Sequence, residues 1–408
     1  MNELFKQIRP GLFYTEYDDF DFDKAAEMTN ERYRPSGPMC SGIRKGDYIG
    51  RNADVYAGFD TVLVMRLSRR CARYSSIGIV TDYFIPTLTD MLDKQEKDDT
   101  YNILPQLVGD GINEKGVSIM MFMIPNGEAS ENKSNWGGRE WGRSAAYTNR
   151  SADKTYNTML LARLVLDNAA NVDEAVELVK AVNWFDPDRF SSSGNAGSLK
   201  WLLADSRKSA VIECIDNEMK ILVTQDINRP SPCTLTTNFS LYLFSKGIIQ
   251  DGASGYERYD QMFDLYSKED DSPEGLKYRQ AERRGEARFH YAEARKGLRE
   301  VKRILKSVSM PEKYSRDISD KYFFATDYLW CESPSGKHFT STELYRGDAK
   351  QDPDFVETVN LEKSRYFDKY PRPVSVTIYT TVYNLREKSV CLLYKEDVNK
   401  GRWYEFNL

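Results

Sequence analysis

The chain has 408 residues, 40% of them hydrophobic and 29% charged, with a formal net charge of −5. That composition belongs to a folded globular protein, either one large layered domain or two to three average ones. The acidic balance argues against nucleic-acid binding, and no run of about 18 apolar residues is present to span a membrane.

Residues 1–20 lack a basic start followed by an apolar run, so a cytoplasmic protein is expected, or a secreted or periplasmic one if a signal has been trimmed away. The six cysteines, at 40, 71, 214, 233, 331 and 391, show no CxxC spacing. That pattern argues against a zinc site or a dense disulfide framework, and all but Cys40 read as small hydrophobes. No metal or organic cofactor is called for.

Residues 1–39 read as a leader, rich in acids and aromatics and ending in Arg34-Pro35-Ser36-Gly37-Pro38. Such a loop can present the Met39–Cys40 bond for cleavage, so the leader is expected to be removed or to wrap the surface. The acidic run from Asp18 to Asp23 lacks the glycine and terminal glutamate of a calcium loop.

From Cys40 the pattern turns strand-like, at 40–43, 48–52, 61–66 and 74–80. Gly46-Asp47 marks a tight turn, which lays Cys40 beside Arg51 and Asn52 on paired strands, with Asp54 just beyond. A cation beside a thiol favours the thiolate, the reactive form. A base is then needed, and only His290 and His338 exist, both far along the chain. Cutting before Cys40 supplies another, because the freed α-amine has a pKa of about 8, near that of the thiol it would deprotonate. Asp54 would hold the ammonium form and Arg51 would steady the sulfur.

The run 117–124 is apolar enough to be a strand covered on both faces. Residues 126–154 show no periodicity and carry Trp136 and Trp141, which suit either a lid over an apolar acyl group or a loop pinned by its aromatics. Two helices are expected at 155–168 and 172–182, the second capped by Asn171 with Glu174 three residues on. Three strands follow at 199–205, 210–215 and 219–223, with turn residues between them. A helix is expected to begin near Arg258. Residues 266–310 are highly charged, with Leu298, Val301, Ile304, Leu305 and Val308 on one helical face, and 374–383 with 389–394 form a closing hairpin.

Cys40-Ser41-Gly42 followed by Gly50-Arg51-Asn52-Ala53-Asp54 resembles the start of the choloylglycine hydrolases, the linear-amide hydrolases that include bile salt hydrolases and penicillin V acylases. Further landmarks keep the family's order: Asp110-Gly111-Ile112-Asn113-Glu114-Lys115-Gly116, Thr236-Thr237-Asn238, Glu257-Arg258-Tyr259 and Thr377-Ile378-Tyr379-Thr380. The resemblance runs from Cys40 to the C-terminus, with added sequence at about 266–372. It implies an α+β fold, the four-layer αββα sandwich of two antiparallel sheets found in N-terminal nucleophile hydrolases, as a single domain over 40–408.

By the same resemblance, Asn238 aligns substrate or donates to an oxyanion, and Arg258 lies near the cysteine. Met123 takes the place where relatives often carry Asn or Tyr in contact with substrate, and methionine cannot donate a hydrogen bond there. The implied reaction is hydrolysis of a small-molecule N-acyl amide by Cys40. An acyltransferase or peptidase on the same scaffold, and a non-catalytic protein that keeps its leader, are the alternatives. A homo-oligomer is left open.

Overall fold

The computed structural model describes residues 4–32, 39–56, 61–82, 88–95, 99–124, 147–185, 198–215, 218–246, 255–267, 289–309, 330–332, 338–340, 375–396, 398 and 400–408. Alternating apolar residues generate two large sheets among them. The first orders nine strands: β1 (Lys6–Arg9), β2 (Leu12–Tyr17), β5 (Val62–Leu67), β6 (Ser76–Thr81), β7 (Asp110–Asn113), β8 (Ser118–Ile124), β11 (Ser198–Ala204), β12 (Ser209–Ile215) and β13 (Glu218–Thr224). The second orders six: β14 (Leu235–Thr236), β3 (Met39–Lys45), β4 (Tyr48–Tyr56), β17 (Ser375–Asn384), β18 (Ser389–Tyr394) and β19 (Trp403–Asn407). Short pairs form between β9 (Thr155–Asn157) and β10 (Asn183–Phe185), and between β15 (Trp330–Glu332) and β16 (His338–Thr340).

The two large sheets face each other across the core. A Cβ on Gly42 of β3 would lie 2.5 Å from the Phe122 ring of β8, so the absence of a side chain lets the sheets approach closely at this point. Helices cover both outer faces. On the nine-stranded sheet, α4 (Leu161–Asn168) is followed by α5 (Val172–Lys180), and the Asn113 amide of β7 donates to the Leu166 and Ala169 carbonyls. On the six-stranded sheet lies α8 (Phe289–Ser307), beside α7 (Tyr256–Ser267). Gly50 of β4 leaves room there for Val301 and Leu305, two members of the apolar stripe read from the sequence. This is the expected four-layer arrangement.

Several strands match the sequence reading closely, among them the β3–β4 hairpin, which turns at Gly46 with φ of 58°. Others depart from it. The segment 155–168 is not one helix: β9 comes first, then a 3-10 turn over Thr158–Leu160, because the Asn157 side chain accepts from Met159 N and starts the helical path late. Asn171 caps α5 as expected, accepting from Glu174 N at 2.9 Å, while the Glu174 carboxylate reaches back to Ala170 N. Strand β19 was not foreseen.

The leader does not merely wrap the surface. β2 pairs in parallel with β5 over six residues, the exception to antiparallel pairing within the two large sheets, and β1 extends the same edge. Phe5, Leu12, Phe13 and Tyr17 are buried in the main core, and α1 (Phe22–Arg32) continues the segment. Leu12→Ala should therefore destabilise the chain by about 2–4 kcal/mol in urea unfolding, the range for a buried leucine, whereas a dispensable wrap would change by less than about 0.5 kcal/mol.

Candidate active site

The site forms where the β3–β4 hairpin meets β14, α7 and the facing sheet. Cys40 lies opposite Ala53, and Gly42 opposite Arg51. Alternation along β4 sends Arg51 and Asp54 to opposite faces. Arg51 enters the space between the sheets, where Nη2 lies 2.9 Å from the Cys40 Sγ and Nη1 donates to the Gly109 carbonyl at 2.7 Å. Its guanidinium also sits over the Phe122 ring.

Asp110 completes this arrangement. Its carboxylate lies 3.9 Å from Arg51 Nη1 and accepts from the Tyr379 hydroxyl at 2.9 Å and the Thr381 hydroxyl at 2.7 Å. Burial lowers the basicity of Arg51, but the charges of Cys40, Tyr379 and Asp110 outweigh it and leave the guanidinium more firmly protonated than usual. For Cys40 the balance tips the other way. Burial pushes the thiol up, and Arg51 offsets only part of that rise. With the Met39–Cys40 bond intact, the neighbouring cation alone does not make a thiolate.

Asn238 and Arg258 surround the backbone of residue 40. Cys40 N donates to Asn238 Oδ1 at 2.6 Å, and Arg258 Nη2 donates to the same oxygen at 2.9 Å. Arg258 Nη1 donates to the Cys40 carbonyl at 2.9 Å and to the Ser41 hydroxyl at 2.8 Å. Asp54 meets Arg258 at 3.4 Å and accepts from the Thr377 hydroxyl at 2.5 Å. In the intact chain the link from Asp54 to residue 40 thus runs through the Arg258 guanidinium.

The structure therefore brings together Cys40, Arg51, Asp54, Asn238 and Arg258. It does not describe Trp136 or Trp141, and of Met123 it describes only the backbone, opposite Leu199. Asp110, Tyr379 and Thr377 had no role in the sequence reading, although each stood inside a landmark motif. A β-bulge between Thr377 and Tyr379 explains why alternation could not assign them: it turns Thr377 toward Asp54 and Tyr379 toward Arg51 on the other face. Among the described residues no cluster of three or more His, Cys, Asp or Glu is arranged to hold a metal, and no helix is long and apolar enough to cross a membrane.

Residues 44–242 match the model of the linear amide C-N hydrolases, choloylglycine hydrolase family. Arg51, Asp54 and Asn238 fall inside that range, and the geometry above adds Cys40 and Arg258 from outside it. Among solved structures, the chain is similar to penicillin V acylase from Agrobacterium tumefaciens at 12% identity, covering 90% of this chain and 86% of the other with a TM-score of 0.43. It is similar to a variant of conjugated bile acid hydrolase from Clostridium perfringens at 12% identity, covering 90% and 97% with a TM-score of 0.43. No curated protein matches.

Asp54 also makes a pH-dependent contribution. Burial lifts its carboxyl to about 6, against the pull of Arg258 and the Thr377 hydrogen bond. A carboxyl raised above its unfolded value binds its proton more tightly in the folded chain, so its contribution falls as pH rises from about 4 through about 6. Urea unfolding of Asp54→Asn and the parent should show the difference moving in the variant's favour over that window, by on the order of 2 kcal/mol.

Proposed function

We propose that this chain, whose residues 44–242 match the choloylglycine hydrolase family of linear amide C-N hydrolases, cleaves a small-molecule N-acyl amide with Cys40 as an N-terminal nucleophile. One observation carries the reading: both functional atoms of residue 40 are already held, Sγ by Arg51 at 2.9 Å and N by Asn238 at 2.6 Å. A structural cysteine needs neither.

The first step is self-cleavage. Cys40 Sγ bonds to the Met39 carbonyl carbon, the peptide C–N bond breaks as the nitrogen takes up a proton, and water hydrolyses the thioester to a Met39 carboxylate and a free thiol. The amine so released replaces the Cys40 N–H within reach of Asn238 Oδ1. It is the base that the histidine-poor sequence otherwise lacks.

With substrate bound, this amine takes the thiol proton as sulfur attacks the amide carbonyl, and it returns that proton to the departing amine. Water then hydrolyses the acyl-enzyme. Asn238 Nδ2 and backbone N–H groups stabilise the tetrahedral oxygen, a donor of this kind contributing on the order of 10²–10³ in rate. Arg51 compensates the thiolate, whose formation the buried site otherwise opposes. Arg258 and Asp54 hold the backbone of residue 40 and the Asn238 oxygen in place.

The released segment remains seated, because its strand β2 is hydrogen-bonded to β5 and its apolar side chains fill the core. Conjugated bile salts, penicillin V and N-acyl amino acids are the amides to test first.

Mass spectrometry of the fresh protein should give two species under denaturing conditions, split before Cys40, and one complex under native conditions. Cys40→Ala should remain a single chain and lose at least about 10³-fold of any amide hydrolysis. Hydrolysis that persists in Cys40→Ala would overturn the assignment.

A further inference from the structure

The nine-stranded sheet carries two buried charges that the reaction above does not use. Lys200 on β11 and Glu213 on β12 are directly opposed in register, and both are fully buried. Lys200 also lies opposite Phe122 of β8, in the row that meets Gly42 and Arg51 across the core. We propose that Lys200 and Glu213 are positioning residues that hold the backbone after Asn238, and so hold its side-chain oxygen against the nitrogen of residue 40. The proposal rests on the assignment of Asn238 to residue 40 made above.

The contacts converge on residues 239–242. Lys200 Nζ donates to the Phe239 carbonyl and lies over the Phe239 ring. The Glu213 carboxylate accepts from the Ser240 hydroxyl at 2.6 Å and from Leu241 N at 2.7 Å. Ser240 in turn caps the short helix α6 (Leu241–Ser245) by accepting from Leu243 N. One side chain thus fixes a carbonyl, and its partner fixes three donors, the third being Tyr242 N at 3.3 Å, immediately beyond Asn238. Strand β14 ends at Thr236, and beyond it the Thr237 hydroxyl donates to the Gly255 carbonyl and the Phe239 ring packs on Tyr259, so the Lys200 and Glu213 contacts act on a turn held from both sides.

Two buried charges are a costly way to pin a turn, and a neutral residue at either place would leave the other uncompensated. Burial pulls Lys200 down to about 7, while the Glu213 charge favours its ammonium form. Their retention is accounted for if the turn must be held to hydrogen-bond precision rather than merely packed.

The test reads the Asn238 contact directly, without requiring any reaction. In the uncleavable Cys40→Ala chain, hydrogen exchange is followed at the residue-40 amide, with the Arg44 amide as reference because it lies on the same strand and donates instead to the Thr234 carbonyl. Lys200→Met or Glu213→Gln should speed exchange at residue 40 at least about tenfold relative to Arg44. Ile212→Ala, on the opposite face of β12, should lower Tm without changing that ratio. An unchanged ratio in a folded Lys200→Met or Glu213→Gln protein overturns the proposal, and the near-isosteric Glu213→Gln decides alone if Lys200→Met does not fold.

In the chain with Cys40 restored, the rate of self-cleavage adds a second reading. Lys200→Met should slow it by about 10²-fold, yet add less than about threefold on top of Asn238→Ala. Losses that multiply overturn the proposal. A parent chain that never cleaves contradicts the proposed function instead, and the exchange result still judges the clamp.

Discussion

A guanidinium sealed between two β-sheets is the constraint on which the rest of the structure depends. Arg51 is almost wholly removed from water and stays charged, so its surroundings must supply what water would have supplied. They do so from several elements at once: a carbonyl at the turn before β7, the Asp110 carboxylate, the Tyr379 hydroxyl, the Phe122 face and the Cys40 sulfur. Moving any of these strands relative to the others would leave a buried cation uncompensated. The same ion that lies against the Cys40 sulfur therefore fixes the sheets in register, so the geometry of the proposed nucleophile and the stability of the fold share one set of contacts.

The second constraint is the carboxylate pairing. Asp110 and Asp54 lie on opposite sides of the six-stranded sheet and each serves a different arginine, Arg51 or Arg258. Burial raises both carboxyls, so each depends on its arginine and on a hydroxyl from β17 to remain ionised. The bulge in β17 is what allows one strand to serve both, delivering Thr377 to one acid and Tyr379 with Thr381 to the other. An unbroken strand would place Thr377 and Tyr379 on the same face.

What could be read from the sequence follows from how local each signal was. The hairpin around Gly46, the three strands from 198 to 224 and the apolar stripe of α8 are set by nearest neighbours and by simple periods, so they were legible. So was the juxtaposition of Cys40 with Arg51, because a two-residue turn fixes register. Strand β2 was missed because Leu12 to Tyr17 gains its place only by pairing with β5, some fifty residues away, and acidic neighbours masked its alternation. Tyr379 and Thr377 were visible as a motif but not as parts of a site, since a bulge leaves no mark in the apolar pattern. Asp110 stood in a turn-like motif, and its role emerged only when Arg51 was found facing it.

The integration of the N-terminal segment into the sheet also bears on the self-cleavage proposed above. A propeptide that only covered a site could unblock it by leaving. Here β1 and β2 form the edge of the sheet whose later strands carry Phe122, Lys200 and Glu213, so releasing the segment that carries them would expose the β5 edge and remove Leu12, Phe13 and Tyr17 from the core. The change that the proposed self-cleavage makes would then be confined to residue 40 itself. Breaking that one bond would replace an amide N–H with a titratable amine beside Asn238 and leave the sheets undisturbed, so the fold could be complete before the proposed chemistry begins. That ordering would suit the proposed self-cleavage at a deeply buried sulfur, because Arg51, Asp110 and Arg258 would all be in position before an N–S exchange at residue 40 began.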